Sequence, residues 1–170
     1  MNAGEDFAVA IATAVLLAVG LMFGSAALAD PVDPRHIEVV DGDTVRIGGA
    51  VVRLVGFDAP ETGSRARCPA ENSKGSQATS RLRQLVMGGG LDFSRVRCSC
   101  PTGTEGTAQC NYGRLCGILL SRGRNVGEIL IAEGLARPYH CGPRACPPPG
   151  RWCGSLEDAR RALNPKPGAR

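Results

Sequence analysis

A single short segment, residues 41–61, contains four acidic side chains, and three of them could act together as metal ligands or general bases. The segment reads Asp41-Gly-Asp-Thr44 and then Arg53-Leu-Val-Gly-Phe-Asp58-Ala-Pro-Glu61. The carboxylates of Asp43, Asp58 and Glu61 would repel one another at close range unless a cation lay between them. Ca²⁺ prefers oxygen ligands of this kind. The segment therefore predicts a site for a hard cation.

Short strands and tight turns are predicted to bring these side chains together. Asp-Gly and Gly48-Gly49 favour turns, and the apolar, β-branched runs between them favour strands. Strands that fold back on one another can place Asp43 beside Asp58, although fifteen residues separate them in the chain. The alternative is a simple hairpin turn with a surface ion pair between Arg53 and Asp58. The predicted strands are Val39–Val40, Val45–Ile47 and Val51–Phe57.

Two further segments complete a pattern that resembles a known enzyme family. Tyr112-Gly-Arg114 precedes the apolar run Leu115–Leu120, and a helix-like segment follows at Asn125–Ala136. With the acidic segment, these motifs resemble the staphylococcal nuclease (thermonuclease) family over about residues 36–140. The resemblance implies an α+β fold, an OB-fold-like five-stranded β-barrel with two to three packed helices.

The resemblance also implies a role for each matching residue. Asp43 and Asp58 would bind Ca²⁺ through their carboxylates, and Ala59 through its backbone carbonyl. The implied activity is Ca²⁺-dependent hydrolysis of DNA and RNA, with single strands favoured and 3′-phosphate products. The remaining roles are Glu61 as general base or as part of a bound-water network, Arg53 and Arg114 as phosphate clamps, Tyr112 near the neighbouring phosphate and Tyr139 against a base.

A second class of function stays open beside the nuclease. OB-fold domains commonly bind nucleic acid or protein without catalysis, so this chain could be a catalytically silent binding domain. A protein that only binds has no need of a carboxylate cluster flanked by Arg53 and Arg114. The sequence therefore favours the nuclease, with nucleic acid as its partner and the monomer as its expected state.

Residues 1–29 are predicted to be a targeting segment. Phe7 to Ala29 carries no charge, and Ala27-Leu-Ala29 has the small residues of a cleavage site. We expect export to the periplasm or the medium. The alternative is an uncleaved membrane anchor at residues 7–29, which is long enough to span a bilayer. The chain from residue 30 onward has 20 basic and 14 acidic side chains, and a net charge of +6 suits a polyanionic partner.

Eight cysteines follow the predicted cleavage point, and an even number in a small exported domain predicts disulfides. A zinc site is the competing interpretation, but the chain has no Cys-x₂-Cys pair. We expect no free thiol. The expected bridges are local ones among Cys98, Cys100, Cys110 and Cys116, and a Cys68–Cys153 bridge that ties the C-terminal segment to the domain.

The other predicted elements follow from periodicity and turn residues. Apolar residues at helical spacing predict a helix over Asn72–Met87, which Gly88–Gly90 ends. The predicted domains are a nuclease-like domain over residues 30–141 and a Pro/Cys-rich extension over 142–170, with a short helix from Ser155. The other elements are a hairpin of Leu91–Cys100 and Leu115–Leu120 around loop 101–113, and a second helix over Asn125–Ala136.

Overall fold

The computed structural model of the protein describes residues 30–154. The predicted targeting segment at residues 1–29 and the predicted helix from Ser155 lie outside this range. Within it, no helix combines the length and the apolar character that a membrane span requires.

Nine strands and two α-helices make up the described part of the chain. The helices are α1 (Pro69–Met87) and α2 (Val126–Ala132). The strands are β1 (Asp30–Val32), β2 (Ile37–Val39), β3 (Thr44–Ile47), β4 (Ala50–Leu54), β5 (Gly56–Asp58), β6 (Leu91–Val96), β7 (Leu115–Ser121), β8 (Arg124–Asn125) and β9 (Arg137–Tyr139).

The main sheet curls because its two edge strands are consecutive in the chain. Its strand order is β1-β6-β7-β4-β3-β2, so β1 and β2 lie at opposite edges. Only residues 33–36, which include the 3₁₀ turn Pro34–His36, connect these two strands. A connection this short can join the edges only if the sheet bends round on itself. With β1 and β2 counted as one bent strand, this order contains five strands, to which the two-residue strand β8 adds a short pairing with β7. The α+β, OB-fold-like prediction is confirmed.

The core is aliphatic and lies between the curled sheet and the helices. Alternate residues of the strands point inward, and α1 contributes residues at helical spacing. Burying each such side chain contributes about 1.5–3 kcal/mol relative to leaving it exposed. The buried core includes Val45, Val52 and Leu54 of β3 and β4, Leu82 and Val86 of α1, Leu119 of β7, and Val126 and Leu130 of α2.

Both helices differ in length from their predictions. α1 begins at Pro69, three residues before the predicted Asn72, because proline is well suited to the first turn of a helix. α2 ends at Ala132, before the predicted Ala136, because Gly134 turns the chain with φ +69°. Residues 137–139, just beyond the predicted helix, form β9, which pairs with β5.

Two predicted strands are also shorter in the structure. The predicted strand Val51–Phe57 divides into β4 and β5 at Val55, next to Gly56, whose φ of +93° interrupts an extended strand. The strand predicted over Leu91–Cys100 ends at Val96. The break at Val55 allows β5 to leave the main sheet and pair with β9.

All eight cysteines form disulfides, so the zinc interpretation is wrong and the expectation of no free thiol is confirmed. The predicted Cys68–Cys153 bridge is present and joins two cysteines with a sequence separation of 85. The hairpin carries two local bridges, as expected, and the last pair closes a short loop near the C-terminus. These three bridges are Cys98–Cys116, Cys100–Cys110 and Cys141–Cys146.

Candidate active site

Arg53 lies at the centre of the site because its strand, β4, is paired on both sides. It is opposite Thr44 of the antiparallel strand β3 and opposite Cys116 of the parallel strand β7. Asp43 comes directly before β3, and Asp58 ends β5. The folded-back strands therefore place the two predicted metal-binding aspartates beside one arginine.

The Arg53 guanidinium group contacts both aspartates. Its Nη2 lies 3.0 Å from Asp43 Oδ2 and 3.6 Å from Asp58 Oδ1, and all three side chains are at most 14% exposed. The group is fixed by the backbone as well, since it donates hydrogen bonds to the carbonyls of Leu54 (2.6 Å) and Phe57 (3.1 Å). The interpretation of Arg53 and Asp58 as a surface ion pair is therefore wrong.

Asp43 is held in place by neighbours on both of its oxygens. The Ala59 N–H donates to Oδ2 at 2.8 Å, and the Thr44 hydroxyl donates to Oδ1 at 3.2 Å. Burial raises the pKa of Asp43 to about 7 and outweighs the opposing effect of Arg53. Burial also raises the pKa of Asp58. Buried acids with raised pKa values beside a specific charged partner are typical of functional sites.

The arrangement fits a hard cation. The buried carboxylate of Asp43 and the partly buried carboxylate of Asp58 converge on a single positive group. Ala59, the predicted carbonyl ligand, follows Asp58 and contacts Asp43 through its N–H. Oxygen-only donors of this kind suit Ca²⁺ or Mg²⁺. In residues 30–154, the only three candidate ligands within 4.8 Å of one another are elsewhere, at Cys68, Glu71 and Cys153. That trio is not a metal site, because its cysteines are bridged and Arg67 pairs with Glu71.

Glu61 lies on the same loop, but its carboxylate pairs with a different arginine, Arg65. Its Oε2 is 2.8 Å from Arg65 Nε, and the Arg65 Nη2 is 2.8 Å from Asp41 Oδ2. Arg65 therefore joins Asp41 to Glu61, whose side chain is 48% exposed. Neither Asp41 nor Arg65 was predicted from the sequence to be a site residue. A signal was present, since Arg65 is four residues after Glu61 and Asp41 is the first acid of the Asp-Gly-Asp motif.

Arg114 is oriented by Asn111, which the sequence analysis also missed. Arg114 Nε donates to the Asn111 carbonyl at 3.0 Å, and Nη2 donates to Asn111 Oδ1 at 2.8 Å. Burial lowers the pKa of Arg114 from its ordinary value. Asn111 and Tyr112 both adopt left-handed backbone conformations, with φ of 51° and 58°. Such conformations are uncommon outside glycine, although asparagine tolerates them better than most residues.

The two predicted substrate-binding tyrosines differ in accessibility. Tyr112 is 86% exposed, and the guanidinium carbon of Arg114 lies 5.6 Å from the centre of its ring. Tyr139 lies on β9, and its hydroxyl donates to the carbonyl of Pro147. Tyr112 is thus open to solvent beside Arg114, whereas the hydroxyl of Tyr139 already has a partner within the chain.

Comparison with known proteins agrees with this geometry. Residues 51–147, more than half of the chain, match the family described as staphylococcal nuclease homologue. The chain belongs to the staphylococcal nuclease family. The match includes the predicted catalytic residues, and it begins after Asp43.

The chain is similar to two endonucleases of Bacillus subtilis strain 168. It is 34% identical to the SPbeta prophage-derived endonuclease YokF over 110 residues, which are 62% of this chain and 34% of that protein. It is 32% identical to endonuclease YncB over 102 residues, which are 58% of this chain and 44% of that protein. The chain thus spans less than half the length of either relative.

Two glycines allow the loops of the homologue's site to pack closely. A Cβ on Gly42, between Asp41 and Asp43, would lie 2.7 Å from the Cβ of Ala59. A Cβ on Gly75 of α1 would lie 2.6 Å from the carbonyl oxygens of both Pro60 and Glu61. Contacts this short essentially never occur, so glycine is required at both positions for the present packing. The loops that carry Asp43, Asp58 and Glu61 therefore depend on these glycines.

Proposed function

We propose that this chain is an exported Ca²⁺-dependent nuclease that hydrolyses phosphodiester bonds in DNA and RNA and leaves 3′-phosphate products. The main support is the convergence of the buried Asp43 carboxylate and the partly buried Asp58 carboxylate on Arg53. A second arginine, Arg114, immediately precedes the neighbouring strand β7. Membership of the staphylococcal nuclease family and similarity to two proteins named endonucleases support a phosphodiester substrate.

Asp43, Asp58 and the backbone carbonyl of Ala59 would hold the metal ion. Once bound, Ca²⁺ would supply Lewis-acid polarisation of the phosphate and neutralise part of its charge. Two aspartates and one carbonyl leave coordination positions for water and a phosphate oxygen, since Ca²⁺ takes six to eight ligands. A set that leaves this many positions to water and substrate suits Ca²⁺ better than Mg²⁺, which requires a tight octahedron.

Arg53 and Arg114 would bind the phosphate undergoing hydrolysis. A planar guanidinium group makes two parallel hydrogen bonds to phosphate oxygens and stabilises the charge that develops in the transition state. The Arg53 guanidinium group is preorganised for this role, because its hydrogen bonds to two backbone carbonyls fix its orientation. Arg114 is oriented in the same way by Asn111, whose backbone and side-chain oxygens accept hydrogen bonds from Nε and Nη2 of Arg114.

Glu61 would take the proton from the attacking water. Its half-exposed carboxylate is open to the solvent from which that water comes, while Arg65 holds it from one side. Proton transfer to a positioned carboxylate of this kind contributes typically about 10²–10⁴ in rate. The exposed ring of Tyr112 offers a surface on which a base of a single strand can stack.

Export is supported by the four disulfides, which persist in oxidising compartments and are rare in the cytosol. The excess of basic side chains favours binding of nucleic acid. We propose that the protein acts as a monomer outside the cytoplasm, on a polyanionic substrate.

The test is incubation of the protein with single- and double-stranded DNA and with RNA, in Ca²⁺, in Mg²⁺ and in excess chelator. Asp43→Asn should abolish cleavage. Asp33→Asn is the matched control, because Asp33 pairs with Arg35 on the exposed 3₁₀ turn away from the site. Full activity in chelator would refute the metal assignment. Tight binding without cleavage in Ca²⁺ would favour the catalytically silent binding domain instead.

A further inference from the structure

The C-terminal arm, defined as residues 150–153, lies beside the carboxylate site although it is about ninety residues away from Asp58 in the chain. The Cys68–Cys153 disulfide attaches its end to the start of α1. The carbonyl of Gly150 accepts a hydrogen bond from Arg67 Nη2 at 2.7 Å, and the carbonyl of Arg151 accepts one from Arg137. Three separate attachments therefore hold four residues of irregular backbone.

The attachment through Arg67 is itself supported from the core. Glu71 of α1 has a side chain with 0% exposure, and it accepts hydrogen bonds from the Arg67 backbone N–H and guanidinium group. A buried carboxylate paired in this way is strongly constrained, because breaking the pair would leave an uncompensated buried charge. Arg67 is thus fixed where it can hold the Gly150 carbonyl.

Trp152 of the arm reaches the predicted metal ligand. Its indole Nε1–H donates to Asp58 Oδ2 at 3.4 Å, while the other oxygen of Asp58, Oδ1, faces Arg53 at 3.6 Å. The indole ring is itself held, because the guanidinium carbon of Arg137 lies 3.9 Å from the centre of the ring. Arg137 is the residue directly opposite Asp58 in the β5–β9 pair. The two oxygens of Asp58 therefore face separate partners, the indole N–H as a hydrogen-bond donor to Oδ2 and the Arg53 guanidinium as an ion-pair partner of Oδ1. Together these partners orient the carboxylate.

We propose that Trp152 is a positioning residue for the metal site and that the Cys68–Cys153 bridge holds it there. This inference rests on the proposed function, since it assumes that Asp58 is a metal ligand. Groups that hydrogen-bond a metal-binding carboxylate orient it, and their loss typically costs about 10–100-fold in metal affinity. With Oδ2 occupied by Trp152, Oδ1 is the oxygen that faces Arg53, whose guanidinium also pairs with Asp43. Trp152 would thus hold Asp58 in the orientation that the ion requires.

The experiment uses calorimetric titration of the full chain with Ca²⁺ alone, so that the result does not depend on turnover. Trp152→Phe removes the N–H donor and keeps an aromatic ring over Arg137. We expect its Ca²⁺ affinity to fall by about 10–100-fold. Turnover should return close to the wild-type value at saturating Ca²⁺, because the residue acts through Asp58 rather than on the substrate. Arg151→Ala is the matched control, since it changes an exposed neighbour and keeps the carbonyl that Arg137 contacts.

Fluorescence gives a second measurement, because Trp152 is the only tryptophan in the chain. Its emission should change saturably with Ca²⁺ and with the affinity that calorimetry gives. The paired substitution Cys68→Ser and Cys153→Ser keeps Trp152 but frees the arm, and it should weaken Ca²⁺ binding as Trp152→Phe does. Folding of each variant is checked by its thermal unfolding transition.

The outcomes separate this inference from the proposed function. Wild-type protein that takes up no Ca²⁺ in calorimetry would overturn the proposed metal site and, with it, this inference. Wild-type protein that binds Ca²⁺, together with a folded Trp152→Phe variant of equal affinity, would overturn the positioning role alone. A loss of affinity in Arg151→Ala as large as in Trp152→Phe would also overturn it, because the effect would then belong to the arm in general.

Discussion

Replacement of Gly75 by alanine tests how closely α1 must approach the loop that carries Asp58 and Glu61. The added Cβ would lie 2.6 Å from two backbone carbonyl oxygens, those of Pro60 and Glu61, and real Cβ contacts stay above 3.0 Å. The loop must therefore withdraw by at least the difference of 0.4 Å. Backbone on a packed loop cannot rotate away as a flexible side chain can, so the displacement reaches the site.

Two opposing contributions set the expected change in stability. Alanine is favoured over glycine inside a helix by about 1 kcal/mol, and overpacking costs about 1–3 kcal/mol. We expect Gly75→Ala to lower the free energy of unfolding by up to about 2 kcal/mol. A displacement of about 1 Å at a catalytic group costs about 10² in rate, so a shift near 0.4 Å should lower turnover about five- to tenfold.

The assay combines chemical unfolding with initial rates of DNA cleavage at saturating Ca²⁺. Gly88→Ala is the control, because Gly88 caps the same helix with φ −67° and a Cβ there would meet its nearest atom at 3.3 Å. The control should keep wild-type turnover. If Gly75→Ala instead gains about 1 kcal/mol from helix propensity and keeps full activity, the close approach of α1 to the loop does not constrain the site.

Three further predictions concern side chains of the site. Burial raises the pKa of Asp43 to about 7 in the metal-free protein, so below that pH Ca²⁺ must displace a proton from Asp43 in order to bind. The affinity of the protein for Ca²⁺ should therefore fall about tenfold per pH unit below 7. Calorimetry from pH 5 to 8 measures this, and a flat profile would contradict it. Because that pKa lies above the unfolded value of 3.8, Asp43 stabilises the metal-free fold at low pH and loses this contribution as the pH rises through about 7. Arg114→Lys should lower turnover by about 10²–10³-fold, since lysine lacks the planar fork of donors. Wild-type turnover in this variant would show that Arg114 does not bind the phosphate. Asn111→Gly tolerates the left-handed backbone but loses the side-chain oxygen that accepts from Arg114, whereas Asn111→Ala loses that oxygen and also strains the backbone. Both variants should therefore have lower turnover, and the alanine variant should have the lower free energy of unfolding. Equal stability would show that the backbone conformation of Asn111 carries no cost.

Local patterns predicted most of the fold and the centre of the site. Turn residues and β-branched runs indicated the strands around Asp43 and Asp58, and helical periodicity with the stop at Gly88 indicated α1. These signals are local, because turn geometry and side-chain periodicity depend on neighbours within a few residues. The Cys68–Cys153 pairing, confirmed in the structure, was among the connectivities that the sequence favoured.

The sequence by itself determined which chemical groups are present and on which strands they lie. Only the tertiary structure decided which of their atoms meet. Arg65 reaches Asp41, and Trp152 contacts Asp58, through approaches between distant segments that no periodicity records. The β5–β9 pairing is of the same kind, since it joins two segments that are far apart in the chain. Such contacts arise from the packing of the whole chain, where a difference of less than 1 Å selects one partner over another.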